Sequence, residues 1–254
     1  MNDLAKDASV ITQPAVTLPA IILVEPQMGE NIGACARAMM NCALTDLRIV
    51  APRDGWPNPA ALAMSANAES IVEQATIYDT LDEALADLNF VLATTARKRD
   101  MVKPVWTPSS AANEIQARVC HTQKTGIMFG RERSGLENEQ VARANGIINV
   151  PLNPENTSLN LGQAVLLVGY ELFQVFDHMS GPATTDVGEP PATKQELDNF
   201  CNRLFANLRE TRFLELPEKR PRMERNIRNI FERADLTTQE INTLHGIVKA
   251  LGSN

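Results

Sequence analysis

Six short apolar runs constrain the fold of this 254-residue chain more than any other feature: Ala20–Val24, Leu47–Val50, a run beginning at Ile77, Phe90–Thr94, Gly126–Phe129 and Ile147–Val150. Each is too short for an ordinary helix and rich in β-branched residues, so each reads as a strand. Successive side chains of a strand point to opposite faces, so an unbroken apolar run needs cover on both sides. The stretches between the runs read as helices: about Ile32–Ala43, the Ala-rich Pro59–Ser70, TLDEALADL behind a Thr80–Glu83 capping box, a weak helix around Ala111–Val119, and Asn138–Arg143. Strands alternating with helices imply an α/β domain whose parallel sheet is flanked by helices. Ligands of such sheets sit beyond the carboxyl ends of the strands. Three loops leave such ends late in the chain, Thr95–Arg99, Gly130–Gly135 and Val150–Ser158, and one pocket between them is expected.

The last of these loops opens the longest apolar segment, VPLNPENTSLNLGQAVLLVGYELF, Val150–Phe173. Thr157 or Ser158 is the expected N-cap, because a short hydroxyl accepts from the free amides of a first helical turn. Leu161, Val165, Leu166, Val168 and Leu172 would bury the helix on nearly all sides. Gly162 and Gly169 each cost about 1 kcal/mol relative to Ala in a helix interior, so something is expected to pack closely there.

Four units follow from the pattern. Residues 1–19 form a polar leader, 20–179 the sheet domain, 180–192 (SGPATTDVGEPPA) a linker, and 193–254 a helical appendage. The appendage should contain a helix capped by Thr193 with Glu196, a second around Ile227, Ile230 and Phe231, and a third capped by Thr237 with Glu240. The net charge of −7 is unevenly spread: residues 192–254 carry 11 Lys and Arg against 9 Asp and Glu. Between Arg203 and Arg233 there are 9 basic and 5 acidic side chains, which reads either as a solvated face or as a phosphate-contacting patch.

Several classes are disfavoured. Cys35, Cys42, Cys120 and Cys201 show no CxxC or His spacing, so neither zinc nor a disulfide framework is expected, and reduced cytosolic thiols are the default. No apolar stretch reaches the length of a membrane span, and the N-terminus shows no secretory pattern. Neither a dinucleotide fingerprint nor a P-loop is present. The loops instead offer glycines and backbone amides suited to a small ligand, with Arg37, Arg131, Arg133 and Glu132 as the nearby charges. An arginine holds its proton, so its expected work is binding a phosphate or stabilising a developing oxyanion.

Asn31-Ile32-Gly33 with Arg37, FGRERSGL (Phe129–Leu136) and NTSLNL (Asn156–Leu161) together resemble the three motifs of the SpoU/TrmH branch of the SPOUT RNA 2′-O-methyltransferases. The similarity is greatest to the TrmJ-type subfamily of tRNA methyltransferases and covers about residues 20–176, with all motifs in order and a helical appendage behind. The resemblance implies a C-terminal trefoil knot in the sheet domain, which connection rules alone would reject. It implies S-adenosylmethionine as cofactor, held by Thr95, Ala96, Arg97, Gly130, Val150, Thr157, Ser158 and Leu159. It implies a cytoplasmic homodimer, no metal, and 2′-O-methylation of tRNA at cytidine or uridine 32, the first nucleotide of the anticodon loop. Arg37 would be the central catalytic group, aligned with the ribose by Asn31, Glu132, Ser158 and Asn160. RNA phosphates would meet Arg97, Lys98, Arg99 and Lys103, and the appendage residues Arg209, Arg212, Lys219, Arg220, Arg222, Arg225 and Arg228. Ribosomal RNA as substrate, or a non-catalytic RNA-binding dimer, are the alternatives.

Overall fold

The structure, a computed structural model, describes residues 17–96, 101–177, 191–214 and 216–251. Arg97, Lys98 and Arg99, most of the leader and residues 180–190 of the linker therefore lie outside the described residues, as does the side chain of Arg212. The elements are β1 Ala20–Val24, α1 Gly29–Asn41, β2 Leu47–Val50, α2 Pro59–Met64, α3 Glu69–Glu73, β3 Thr76–Tyr78, α4 Leu81–Leu85, β4 Phe90–Thr94 and β5 Val105–Trp106. They continue with α5 Pro108–Cys120, β6 Thr125–Phe129, α6 Asn138–Ala142, β7 Gly146–Ile148, α7 Leu161–Asp177, α8 Lys194–Arg209, α9 Arg220–Ala234 and α10 Thr238–Leu251.

The strands form one seven-stranded parallel sheet in the order β3-β2-β1-β6-β4-β7-β5. The late strands insert between earlier ones: β6 lies between β1 and β4, and β7 between β4 and β5. The strand alternation predicted from sequence divides the core into two layers. Ile21, Leu23, Ile49, Leu92, Ile127 and Phe129 face α1, α5 and α7. Ile22, Val24, Val91, Ala93 and Met128 face α4 and α6.

Expectation and structure differ in instructive places. The short strand β5 was not anticipated, because two residues carry no periodicity. The Ala-rich stretch is two short helices broken after Met64, not one. The helix after Val150 starts later than expected: Asn160, not Thr157 or Ser158, is its cap, its Oδ1 accepting from the Gly162 amide at 2.9 Å while Gln163 returns a carboxamide oxygen to the Asn160 amide at 3.2 Å. Nor is α7 buried all round, since Leu166, Leu167, Tyr170 and Phe173 are exposed. Its glycines do mark close packing: a Cβ on Gly162 would lie 3.0 Å from Ala34 Cβ, and one on Gly169 would lie 3.1 Å from Cys42 Sγ, both on or beside α1.

Helices α8–α10 have their own small core of Leu197, Phe200, Cys201, Phe205, Ile241 and Val248. They meet the sheet domain through polar groups. Asn89 Nδ2 donates to Pro191 O at 2.8 Å and the Lys194 amide to Leu88 O at 2.9 Å, so the end of the expected linker is docked. Asn145 accepts from the Val91 amide at 2.9 Å and donates to Glu232 O at 3.2 Å. Lys194 and Glu232 form a buried ion pair, and Asp198 accepts from both Arg143 and Arg228. This interface gives several residues of the expected RNA-contacting set partners within the chain. Arg228 is engaged in that buried cluster. Lys103 is buried, with Nζ donating to Ala142 O and Ala144 O, and burial pushes its ammonium down to about 8 despite Glu232 nearby. Arg225 pairs with Glu139, Arg209 with Glu224, and Arg220 donates to Leu214 O, whereas Lys219 and Arg222 are exposed.

Removing one partner of a buried pair leaves an uncompensated charge, which costs about 3–5 kcal/mol. Glu232→Ala should therefore lower the unfolding free energy by about that much in urea titrations, whereas Glu224→Ala, at the half-exposed Arg209 pair, should change it by less than about 1 kcal/mol.

A cleft at the carboxyl edge of the sheet as candidate active site

Strands β4, β6 and β7 are neighbours, so the loops after Thr94, Phe129 and Ile148 emerge side by side. They enclose a cleft of about 370 Å³. Seven residues expected from sequence to meet a cofactor line it together: Thr95, Ala96, Gly130, Val150, Thr157, Ser158 and Leu159. Its apolar side chains include Phe129 and Leu161 at the ends of two motifs, and Ile148 and Leu152, which the motifs did not include. The loops are pinned to one another by the backbone. The Thr95 amide donates to Ile148 O at 3.1 Å, and Asn149 Nδ2 donates to Thr95 O at 3.1 Å. Gly130 is required by proximity: a Cβ there would fall 2.3 Å from the carbonyl carbon of Gly135 and the amide nitrogen of Leu136.

Glu132 stands on the rim of this cleft and reaches out of it. Its carboxylate accepts from the Gln27 amide at 2.9 Å, the Met28 amide at 3.2 Å and Asn31 Nδ2 at 2.8 Å. These are free donors at the start of α1, where a negative charge is also favoured by the helix dipole. Asn31 Oδ1 in turn accepts from Asn160 Nδ2 at 3.0 Å, and Asn160 caps α7. One chain of hydrogen bonds thus joins the three sequence motifs. Beside it, Arg131 is held by Glu25 and by Glu137 at 2.6 Å, and Gln140 Nε2 also donates to Glu25 at 2.9 Å. Glu25 escaped the sequence reading because a single acid after a strand carries no spacing signal.

Arg37 is placed differently from its expected partners. It lies on the exposed side of α1, outside the cleft walls, and makes no hydrogen bond or ion pair with the described residues. Ser158 lines the cleft, whereas Asn31 and Asn160 form the bridge behind it. Cys35, also on α1, is no nucleophile: burial, and then the charge of Glu132, raise its thiol well above the usual range. Among the described residues there is no cluster of three His, Cys, Asp or Glu that could hold a metal ion, and no described helix is long and apolar enough to cross a membrane.

Residues 19–170 match the family model described as the SpoU rRNA Methylase family, and residues 195–254 match that of the tRNA methyltransferase TrmJ C-terminal domain. The chain belongs to the SpoU methylase family, in its TrmJ-type branch. It is 36% identical to the tRNA (cytidine/uridine-2′-O-)-methyltransferase TrmJ of Photorhabdus laumondii over 91% of this chain and 95% of that one. The crystal structure of TrmJ from Z. mobilis ZM4 superposes with a TM-score of 0.84 at 44% identity, covering 92% of this chain and 99% of that one. A probable methylase family protein from Haemophilus influenzae Rd KW20 gives a TM-score of 0.60 at 33% identity, covering 91% and 94%. The SpoU-family motifs are thus the residues that the hydrogen-bond chain through Glu132 connects.

Because that carboxylate satisfies three donors at once, Glu132→Ala should destabilise the protein by about 2–3 kcal/mol, and Glu132→Gln by less. Thermal unfolding of the two variants checks the order.

Proposed function

We propose that this chain is an S-adenosylmethionine-dependent tRNA 2′-O-methyltransferase of cytidine or uridine 32 in the anticodon loop. The observation that carries this reading is the cleft, whose seven predicted residues converge at one sheet edge beside the Glu132–Asn31–Asn160 chain. The names of the similar TrmJ proteins supply the substrate class. The cleft fits the cofactor: its volume is in the range of small-ligand sites, its walls combine apolar and polar side chains, and its loops are rich in backbone groups. When bound, the cofactor supplies an electrophilic methyl on a sulfonium. Thr95, Ala96, Val150, Thr157 and Leu159 would hold it, with Gly130 leaving room against the backbone, and Arg97 belongs to the same proposed set.

The ribose hydroxyl is a weak acid and must lose its proton as the methyl transfers. A guanidinium is a poor base, so Arg37 orients the ribose and stabilises the developing oxyanion, with in-line positioning contributing much of the rate. Glu132 and Asn31 hold α1 and Asn160 caps α7, and together with Ser158, which lines the cleft, they would align Arg37 and the ribose.

The enzyme works as a homodimer in this reading. Met40 on α1, Leu62 and Met64 on α2, and Leu166, Leu167, Tyr170 and Phe173 on α7 are all exposed, an apolar expanse that a second copy would cover. Arg37 and Met40 share the exposed side of α1, so covering it would carry Arg37 towards the partner's cleft. The insertion of β6 and β7 between earlier strands supports the trefoil knot. The reading places the enzyme in the cytoplasm with tRNA, without a metal, and gives the helical unit, with Lys219, Arg222 and Arg225, a share of the RNA contact. Its units are the sheet domain at 20–179 and the helices from 193.

Incubating the protein with methyl-labelled cofactor and unmodified tRNA transcripts should place label on the ribose of the first anticodon-loop nucleotide; label on ribosomal RNA fragments instead would favour the alternative substrate. Leu159→Arg should abolish cofactor binding in calorimetry on folded protein, and unchanged affinity would displace the site. Arg37→Ala and Leu159→Arg should each be inactive as homodimers. Co-refolded, they should recover up to about a quarter of wild-type activity, because random pairing makes half the dimers mixed and each mixed dimer keeps one good site. Verified heterodimers without activity would refute the shared site.

A further inference from the structure

The loop after β6 brings three consecutive charges, Arg131, Glu132 and Arg133, to the lining of the cleft, and the structure treats them differently. The chain closes this loop on itself. The Gly135 amide donates to Arg131 O at 2.8 Å, the two residues form an isolated antiparallel bridge, and Gly135 takes the positive φ of 66° that the return requires. Arg133 stands at the middle of the closed turn. Its two predecessors are tied back to the body of the protein, Arg131 by Glu25 and Glu137, and Glu132 by the Gln27 and Met28 amides and Asn31. The backbone beneath Arg133 is thus held by side chains on one side and by the bridge on the other.

Arg133 itself is exposed and makes no hydrogen bond or ion pair with the described residues. Among the described residues that line the cleft, it is the one charge without a partner in the chain. An unmatched guanidinium on a fixed turn offers its whole fork of donors to an anion arriving from solvent, and a phosphate accepts such a fork through two oxygens. Arg131 lines the same cleft, but two carboxylates already match it.

Resting on the methyltransferase reading above, we propose that Arg133 binds the RNA phosphate on the 3′ side of the methylated nucleotide. That phosphate is bonded through oxygen to the ribose carbon beside the one bearing the 2′-hydroxyl, so among the RNA's anions it lies close to the reacting atom. A two-point hold on it fixes both the position and the facing of the ribose. The cofactor brings the other anion, a carboxylate, but it carries an ammonium on the same carbon, and the exposed position of Arg133 faces the incoming polyanion.

The test uses full-length protein and intact tRNA, either unmodified or carrying one phosphorothioate, in each configuration, 3′ of the methylated nucleotide. Arg133→Ala should lower kcat/KM on unmodified tRNA by about ten-fold or more, the size of a charge-assisted contact. It should make the salt dependence of tRNA binding shallower by about 0.7, the share of one single-strand phosphate, and leave cofactor affinity unchanged in calorimetry without RNA. Arg133→Lys should keep the salt slope and recover only part of the rate, because an ammonium lacks the planar fork. Wild type should be several-fold slower on at least one phosphorothioate, and Arg133→Ala should not distinguish either from unmodified tRNA. A variant as sensitive to sulfur as wild type, or wild type indifferent to both configurations, would overturn the proposal. Weakened cofactor binding in Arg133→Ala would assign the residue to the cofactor carboxylate and overturn it too. Wild type that methylates no tRNA would instead overturn the methyltransferase reading on which the proposal rests.

Discussion

The carboxylate of Glu132 is the contact on which the site depends. It emerges from the loop after β6, yet its acceptors are used by the start of α1, more than a hundred residues earlier in the chain. Three donors converge on one ion, and the bonds are charge-assisted, which makes each stronger than a neutral pair. Through Asn31 the same contact extends to Asn160 and so to the start of α7. The helix bearing Arg37 and the loop bearing Ser158 are therefore set relative to each other by side chains rather than by strand pairing alone. A carboxylate so engaged works as a scaffold.

The second organising contact is the polar seam between the sheet domain and helices α8–α10. Part of the basic charge counted in the appendage faces neighbouring carboxylates or the sheet domain, while Arg203, Arg209, Lys219, Arg222, Arg233 and Lys249 are exposed. Arg228 and Arg143 share Asp198, and Lys194 meets Glu232 with both side chains almost fully buried. Buried pairs are weak sources of net stability, but they penalise misdocking because any other arrangement strands a charge. The seam thus fixes where the appendage sits and leaves Lys219 and Arg222 exposed.

The exposed apolar face of α7 and its neighbours has the opposite character. Leu166, Leu167, Tyr170 and Phe173 sit on the same helix as the buried Val165, Val168 and Leu172, so the helix is apolar on two sides for two different reasons. One side packs on α1 so closely that Gly162 and Gly169 leave no room for a methyl group without a shift. The other is exposed in the single chain.

The sequence by itself determined the strand positions, the parallel sheet, several capping boxes and the three loops that form the cleft. These are local or periodic properties: an apolar run four residues long, a Thr three residues before a Glu, a glycine after a strand. It also marked Asn31, Glu132 and Asn160, through a motif pattern that says nothing of who bonds whom. The tertiary structure alone decided the rest. That Asn160 and not Thr157 caps α7 follows from which residue faces Gly162, that Lys103 is buried follows from the carbonyls of Ala142 and Ala144 above it, and that α7 exposes half its leucines follows from α1 covering only one side. Charge and hydrophobicity are properties of a residue, whereas partners and exposure belong to pairs of segments far apart in the chain, and no spacing along the sequence encodes them.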